Sequence, residues 1–282
     1  MRIHYLGFLF GLVFISCVKT PGSLLGGQNN SNIVIEGGLN GLGYLQAIRI
    51  SQVSTSTLTN PLPVSKLIIR VTGGGEIMNF QESSLPGIYT VSLNHKLTVN
   101  QRYVFSAISE DNTQQIFALD TLIKVVPIKG SSIPFTTSLL STGKVEIQIP
   151  KHVFGQKNCL KWLILPKSGS LWASDQFSQK YPFTYVHQLG APNALYSLTT
   201  INTVQDFNAT DSIIVYKFSV SNTHGQYLYG IFEETDWKGL FSGAPSQVVG
   251  NISLGGQGFF SAMDVDTRTY RVKDLIGKKV FF

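Results

Sequence analysis

The sequence predicts a mainly β protein. An N-terminal seven-stranded antiparallel β-sandwich is expected over residues 33–128. A second β-rich domain with one short amphipathic helix is expected over 131–275. Three observations carry this reading. From residue 32 onward apolar and polar side chains alternate with a period close to two. Gly, Pro and Asn clusters punctuate the alternation at hairpin spacing. One stretch, residues 225–238, changes to helical spacing.

Ile33, Val34, Ile35 and Glu36 open the first strand, and the Gly37-Gly38 pair is expected to end it. Residues 44–51 set Gln46, Ile48 and Ile50 against Ala47 and Arg49. Leu67, Ile69 and Val71 share a face, with Arg70 on the other. Gly73-Gly74-Gly75 turns the chain into a strand over 77–81, and Leu85-Pro86-Gly87 into one over 88–93. Tyr103, Phe105 and Ala107 alternate next, and 116–128 is a last long apolar stretch. No Cys-Trp-Cys pattern accompanies these strands, so a true immunoglobulin domain is not supported. Residues 129–134 (KGSSIP) read as a linker.

Beyond the linker the alternation is less regular. Val145, Ile147 and Ile149 form one face, and Leu160, Trp162 and Ile164 another. Ile214, Tyr216, Phe218 and Val220 mark a further strand, and 267–272 alternates again. In the helical stretch Leu228, Ile231, Phe232 and Thr235 align, with Glu233, Glu234 and Asp236 on the wetter side and Gly230 weakening the helix.

The N-terminus reads MRIHYLGFLFGLVFISC. A basic start, a short apolar core and a small residue form a secretory signal peptide. The apolar run falls short of the roughly 20 residues a membrane span needs. Ser16-Cys17 at the cleavage point resembles the lipobox of bacterial lipoproteins, although Phe14 stands where Leu is usual. A signal peptide over 1–16 is therefore expected, with lipid on Cys17 and a Gly-, Ser- and Asn-rich tether over 17–32. The alternative is an ordinary signal peptide with a chance cysteine.

Composition narrows the function. The formal net charge is +6, charged residues make up 13%, and the basic ones are spread along the chain. No Lys/Arg run is dense enough for nucleic acid, so none is expected as a partner. Cys159 sits in an apolar run and reads as a buried, inert thiol. His95, His152, His187 and His224 are widely spaced, and neither HExxH nor CxxC occurs, so no metal and no cofactor are expected. Glu233, Glu234 and Asp236 read as a solvated helix face, and Asp264 and Asp266 as turn residues. GxSxG is absent, and the glycine clusters at 73–75 and 254–258 lack the lysine of a phosphate loop. No catalytic residues are assigned, and binding or structural work is favoured over catalysis.

The order of features then becomes informative: the Cys17 pattern, IVIEGGLN at 33–40, Pro61-Leu62-Pro63-Val64, PGIYTV at 86–91, RYVFSAIS at 102–109 and VVGNISLGGQGFFSA at 248–262. This order resembles an uncharacterised family of Bacteroidota outer-membrane lipoproteins, often encoded beside TonB-dependent receptors. The late segment carries most of the resemblance, through Pro245, Gly250, Asn251, Ile252, Gly255, Gly256, Gly258, Phe259, Phe260 and Ala262. Its glycines suit tight turns and its aromatics a core strand, so these residues read as structural. The resemblance implies a lipid-anchored, non-enzymatic accessory or binding subunit at the outer membrane, partnered with a TonB-dependent receptor. Residues 18–21 hold no acidic export signal, which tilts toward the periplasmic face without deciding it. A second reading is direct capture of a glycan or peptide by a lipoprotein acting alone, with Trp172, Tyr181, Tyr185 and Trp237 as the candidate aromatic contacts. The third is a hydrolase assembled from distant residues, with His187 or His224 near a carboxylate.

Overall fold

The computed structural model describes residues 33–278 except 43, 55–60, 111–114, 131–132, 170–176, 178–180, 192–201, 237–247 and 254–255. The signal peptide over 1–16, Cys17, the tether over 17–32, Trp172, Trp237, Pro245 and Gly255 lie outside the described residues.

The protein is mainly β. Its first strands are β1 (Ile33–Asn40), β2 (Leu45–Gln52), β3 (Leu67–Gly73), β4 (Glu76–Glu82), β5 (Ile88–Ser92), β6 (Gln101–Ser109) and β7 (Gln115–Leu122). They pair antiparallel in the order β1-β2-β5-β4-β3-β6-β7. The period of two buries Ile35, Ile48, Ile50, Ile69, Val71, Tyr103 and Phe105 in one core. Each such side chain contributes about 1.5–3 kcal/mol on burial.

The chain continues through β8 (Thr136–Leu139), β9 (Lys144–Pro150), β10 (His152–Val153), β11 (Leu160–Pro166), β12 (Phe183–Val186), β13 (Asn202–Asn208) and β14 (Ser212–Ser219). Helix α1 (Asn222–Thr235) and strands β15 (Gln257–Met263) and β16 (Val265–Arg271) follow. A five-stranded sheet, β10-β12-β11-β14-β16, packs on a three-stranded sheet, β13-β9-β8. Phe135, Val145, Ile147, Trp162, Ile164 and Val215 fill the space between them. The opposite face of the five-stranded sheet is covered too, around Leu163, Leu165, Tyr216 and Phe218. Burial on both faces explains why the LKWLILP run of β11 is nearly continuous in apolar residues, and why alternation weakens in this half.

Strand β15 departs from the expected division of the chain. It falls inside the region read as a separate domain over 131–275, yet it joins the first sheet, parallel to β1. This pairing also corrects the first strand, which runs through Gly37-Gly38 to Asn40 instead of ending there. Gly38 has φ +148°, and a Cβ on it would lie 1.9 Å from the Ser261 carbonyl oxygen. Gly258 has φ +89°, and its Cβ would meet the Ile35 carbonyl oxygen at 2.1 Å. Only glycine fits these two positions.

The late motif secures the other edge of β15. The Asn251 amide donates to the carbonyls of Leu119 (2.9 Å) and Phe260 (2.7 Å), and its oxygen accepts from Phe260 N–H (2.9 Å). Ile252 bridges to Ala118, and the buried Asp120 carboxylate accepts from Ala262 N–H at 2.8 Å. The two ends of the first sheet are thereby tied together through β15 and β7.

The connection between the halves runs over 123–128, ahead of the expected linker. Asp264 accepts from Val125 N–H (2.9 Å), Asp266 from Ile128 N–H (2.6 Å), and Ser219 donates to the Ile123 carbonyl (2.5 Å). Asp264 thus holds the crossing strap as well as its own turn, whereas Asp266, expected in a turn, lies in β16 and holds the strap from there. In the segment read as a linker, Ile133 is fully buried in the second core. No helix among the described residues is long and apolar enough to cross a membrane.

Candidate functional site

Register places the main polar group of the site. In β11, Trp162 and Ile164 face the second core, so Lys161 and Leu163 face the opposite way. Lys161 is paired across the ladder with Tyr185 of β12 and Phe218 of β14. Same-face neighbours in adjacent strands touch. The Lys161 ammonium accordingly lies 5.8 Å from the Tyr185 ring centre and 6.0 Å from that of Phe218. No carboxylate among the described residues pairs with it. Burial pushes its pKa down from 10.5 to about 8, so it stays protonated at neutral pH.

Helix α1 supplies the facing wall. Ser221 caps its N-terminus, accepting from His224 N–H at 3.1 Å. His224, Leu228 and Phe232 then fall on the buried face at helical spacing, with Ile231 half-buried beside them. The helix starts ahead of the expected 225, and Thr235, read as part of the apolar face, is exposed and donates to the Ile231 carbonyl. The His224 ring stacks on Phe259 of β15 with centroids 4.5 Å apart and planes within 12°. Its Nδ1 is buried with no hydrogen-bond partner among the described residues. Burial, with the nearby Lys161 charge, drives its pKa down to about 3, so the ring is neutral.

These groups surround a cavity of about 700 Å³ where β1, β2 and β15 of the first sheet face β11, β12, β14 and α1. Cavities of this size suit a small organic ligand. Aromatic side chains dominate its wall: Phe177, Tyr181, Phe183, Tyr185, Phe218, Tyr227 and Phe259. Phe183 and Tyr185 pack at 4.6 Å, and Tyr227 and Phe259 at 5.1 Å. Burial raises the Tyr185 phenol to about 12, so it remains a neutral hydroxyl. Glu36, the carboxylate on the wall, is committed to Arg49, whose Nε donates to it at 2.6 Å.

A second polar cluster lies at the other end of α1. Asp236 accepts from Lys151 Nζ (2.8 Å) and from His152 Nε2 (3.1 Å), and His152 Nδ1 meets His187 Nε2 at 2.9 Å. Phe154 and Phe232 pack on the two imidazoles. Burial alone would raise the Asp236 pKa, but the bonds from Lys151 and His152 outweigh it and hold the carboxyl below its usual range. Burial lowers both histidines, His187 to about 3 with help from its neighbour. With His152 donating to Asp236, its Nδ1 accepts from His187, and both rings are neutral. Asp236 is therefore a half-buried, fully bonded partner, which corrects the solvated helix face expected for it. No hydroxyl or thiol among the described residues hydrogen-bonds to either imidazole. Among the described residues no group of three His, Cys, Asp or Glu side chains is placed to hold a metal.

Of the candidate contacts, Tyr181 and Tyr185 both line the cavity as half-buried wall residues. Trp172 and Trp237 lie outside the described residues. Phe259 lines the cavity, whereas Gly250, Asn251, Ile252 and Gly258 serve the seam around β15. Cys159 is buried, and burial raises its thiol pKa. Lys161 was not singled out in the sequence, and His224 entered there only as a candidate hydrolase imidazole. A lysine interrupting the apolar LKWLILP run is the one local sign of the first.

No family model matches the chain, and no curated protein matches it. Among solved structures the chain is similar to the FN1-FN3 domains of chicken CNTN1, at 9% identity and a TM-score of 0.24. That match covers 67% of this chain and 60% of the other, so the chain spans less than two thirds of that three-domain chain.

Proposed function

We propose that the protein is a non-enzymatic binding subunit of the outer membrane, tethered through lipid on Cys17, that takes a small organic ligand into the aromatic cavity between its two halves. The observation that carries the binding role is the cavity itself: about 700 Å³, with ring-bearing walls drawn from both halves. The Asp236–His152–His187 cluster has the parts of an acid–base relay but is bonded to no described nucleophile, which supports binding over acyl transfer. The signal peptide ending at Ser16-Cys17 supports the tether, and the resemblance of the feature order supports a TonB-dependent receptor as partner.

Labelling cells with a tagged fatty acid tests the anchor. The wild type should carry the label and sediment with membranes, while Cys17→Ser should lose the label and become soluble. Equal labelling of both would overturn the anchor. Mild detergent extraction followed by affinity capture should recover a receptor barrel in near-stoichiometric amount. Recovery of the lone chain would reject the partnership and leave a binding protein that acts by itself.

A further inference from the structure

The cavity contains a charge that no described residue of its walls neutralises. Lys161 has aromatic rings on both flanking strands and no carboxylate partner among the described residues. The Glu36 carboxylate is already held by Arg49. His224, only 7% exposed, lines the same space with its ring, its Nδ1 being sealed from it. An unpaired cation in an apolar setting is unfavourable unless a ligand completes it. The uncompensated Lys161 charge at the cavity therefore describes the ligand that fits it.

We propose that the cavity takes an organic anion, with a flat apolar body between the aromatic walls and an acid group bound by the Lys161 ammonium. A neutral group of the same shape does not replace the acid, because only a negative charge compensates the ammonium. An oxygen-rich neutral glycan lacks that charge and fits these walls less well. The inference rests on the cavity being the ligand site, and the experiment separates the two.

The test is titration calorimetry of the full chain with 2-naphthoate and with 2-naphthamide, which share ring and shape and differ in charge. Naphthalene-2-sulfonate and 2-naphthyl phosphate, used in parallel, distinguish carboxylate from the other acids. The expected result is one site per chain, with naphthoate at least tenfold tighter than the amide. Lys161→Met should abolish that preference while leaving the amide within about twofold, and Lys161→Arg should keep it. Ile231→Trp, which fills space from the helix side, should weaken both ligands together. Equal binding of the two probes, unchanged by Lys161→Met, would overturn the anion assignment and leave the cavity as an apolar site. Binding of neither probe would overturn both readings. A misfolded Lys161→Met is recognised by its circular dichroism, and Lys161→Gln then carries the comparison.

Discussion

The two ends of α1 treat buried polar groups in opposite ways. At the C-terminal end, Lys151, His152, His187 and Asp236 satisfy one another through a chain of hydrogen bonds. At the N-terminal end, Lys161 and His224 face the cavity with bonding capacity unused. Tyr185 touches both, with its ring 5.9 Å from His152 and 5.8 Å from the Lys161 ammonium. The titratable groups are similar, and His187 at one end and His224 at the other both fall to a pKa of about 3. What differs is the presence of partners. A closed network adds to stability and gives a ligand nothing to do, whereas an open one costs stability and is ready for a ligand.

Removing one member of the closed network should have the largest effect. Asp236→Ala leaves His152 and Lys151 without their acceptor, and the His152 side chain is only 3% exposed. Stripping one partner from such a group is expected to cost about 2–3 kcal/mol. Urea unfolding at pH 7 measures it. A loss below about 0.5 kcal/mol, the range of ordinary surface substitutions, would show that the cluster is effectively solvated.

The open end should respond with the opposite sign. Lys161→Met removes a charge that the fold holds in an unfavourable place, so stability should rise by roughly 2 kcal/mol at pH 7. The pH dependence identifies the cause. The unfolded chain holds the Lys161 proton up to about pH 10.5, and the folded chain releases it near 8. Between these values the unfolded state binds more protons, so wild-type stability should climb with pH, and the penalty is complete below pH 8. Lys217, also lowered by burial, contributes in the same direction. The Cys159 thiol, raised by burial, opposes it once the unfolded thiol ionises near 9, and Tyr89 and Tyr185, raised to about 12, oppose it once unfolded phenols ionise near 10. The range from about pH 8 to 9 is therefore the informative one. A climb of equal steepness in Lys161→Met would assign it to Lys217 or another group.

The contrast between the two ends also explains what was legible in the sequence. Strands β3, β4, β6 and β7 follow the period of two because one face is buried and the other wet, as in β3, where Ile69 and Val71 turn inward and Ile68 and Arg70 outward. The helix was legible for the same reason. Strand β15 could not be placed, because its partner β1 lies more than 200 positions away and no local pattern encodes a parallel pairing at that distance. The glycines of IVIEGGLN resemble strand terminators in sequence, yet they mark the close approach of that distant strand. The site was hidden for a similar reason. Lys161, Tyr185, His224 and Phe259 come from four elements, and only the ladder register and the seat of α1 bring them together. Asp236 was misread because a charge near a helix end usually meets water, and its partners come from the distant β10 and the residue before it.

The smallest effect, and the finest test of the comparison, lies on the acid limb. His187 titrates near 6.5 in the unfolded chain and near 3 in the fold. Its stabilising contribution is complete above 6.5 and is lost as pH falls toward 3, because the unfolded state alone gains the proton. His152 and His224 are lowered as well and act in the same sense. His187→Phe keeps the packing against Phe154 and Tyr229 but removes one of these protons. Its stability at pH 7 should drop through the lost bond to His152, yet the further loss between pH 7 and 5.5 should be smaller than in the wild type by about 1 kcal/mol. His224→Phe should flatten the acid limb by a similar amount without the initial drop, since its Nδ1 has no partner to lose. If both variants fell equally at pH 7, the two ends of α1 would not differ in partnership, and the distinction between a closed network and an open site would fail.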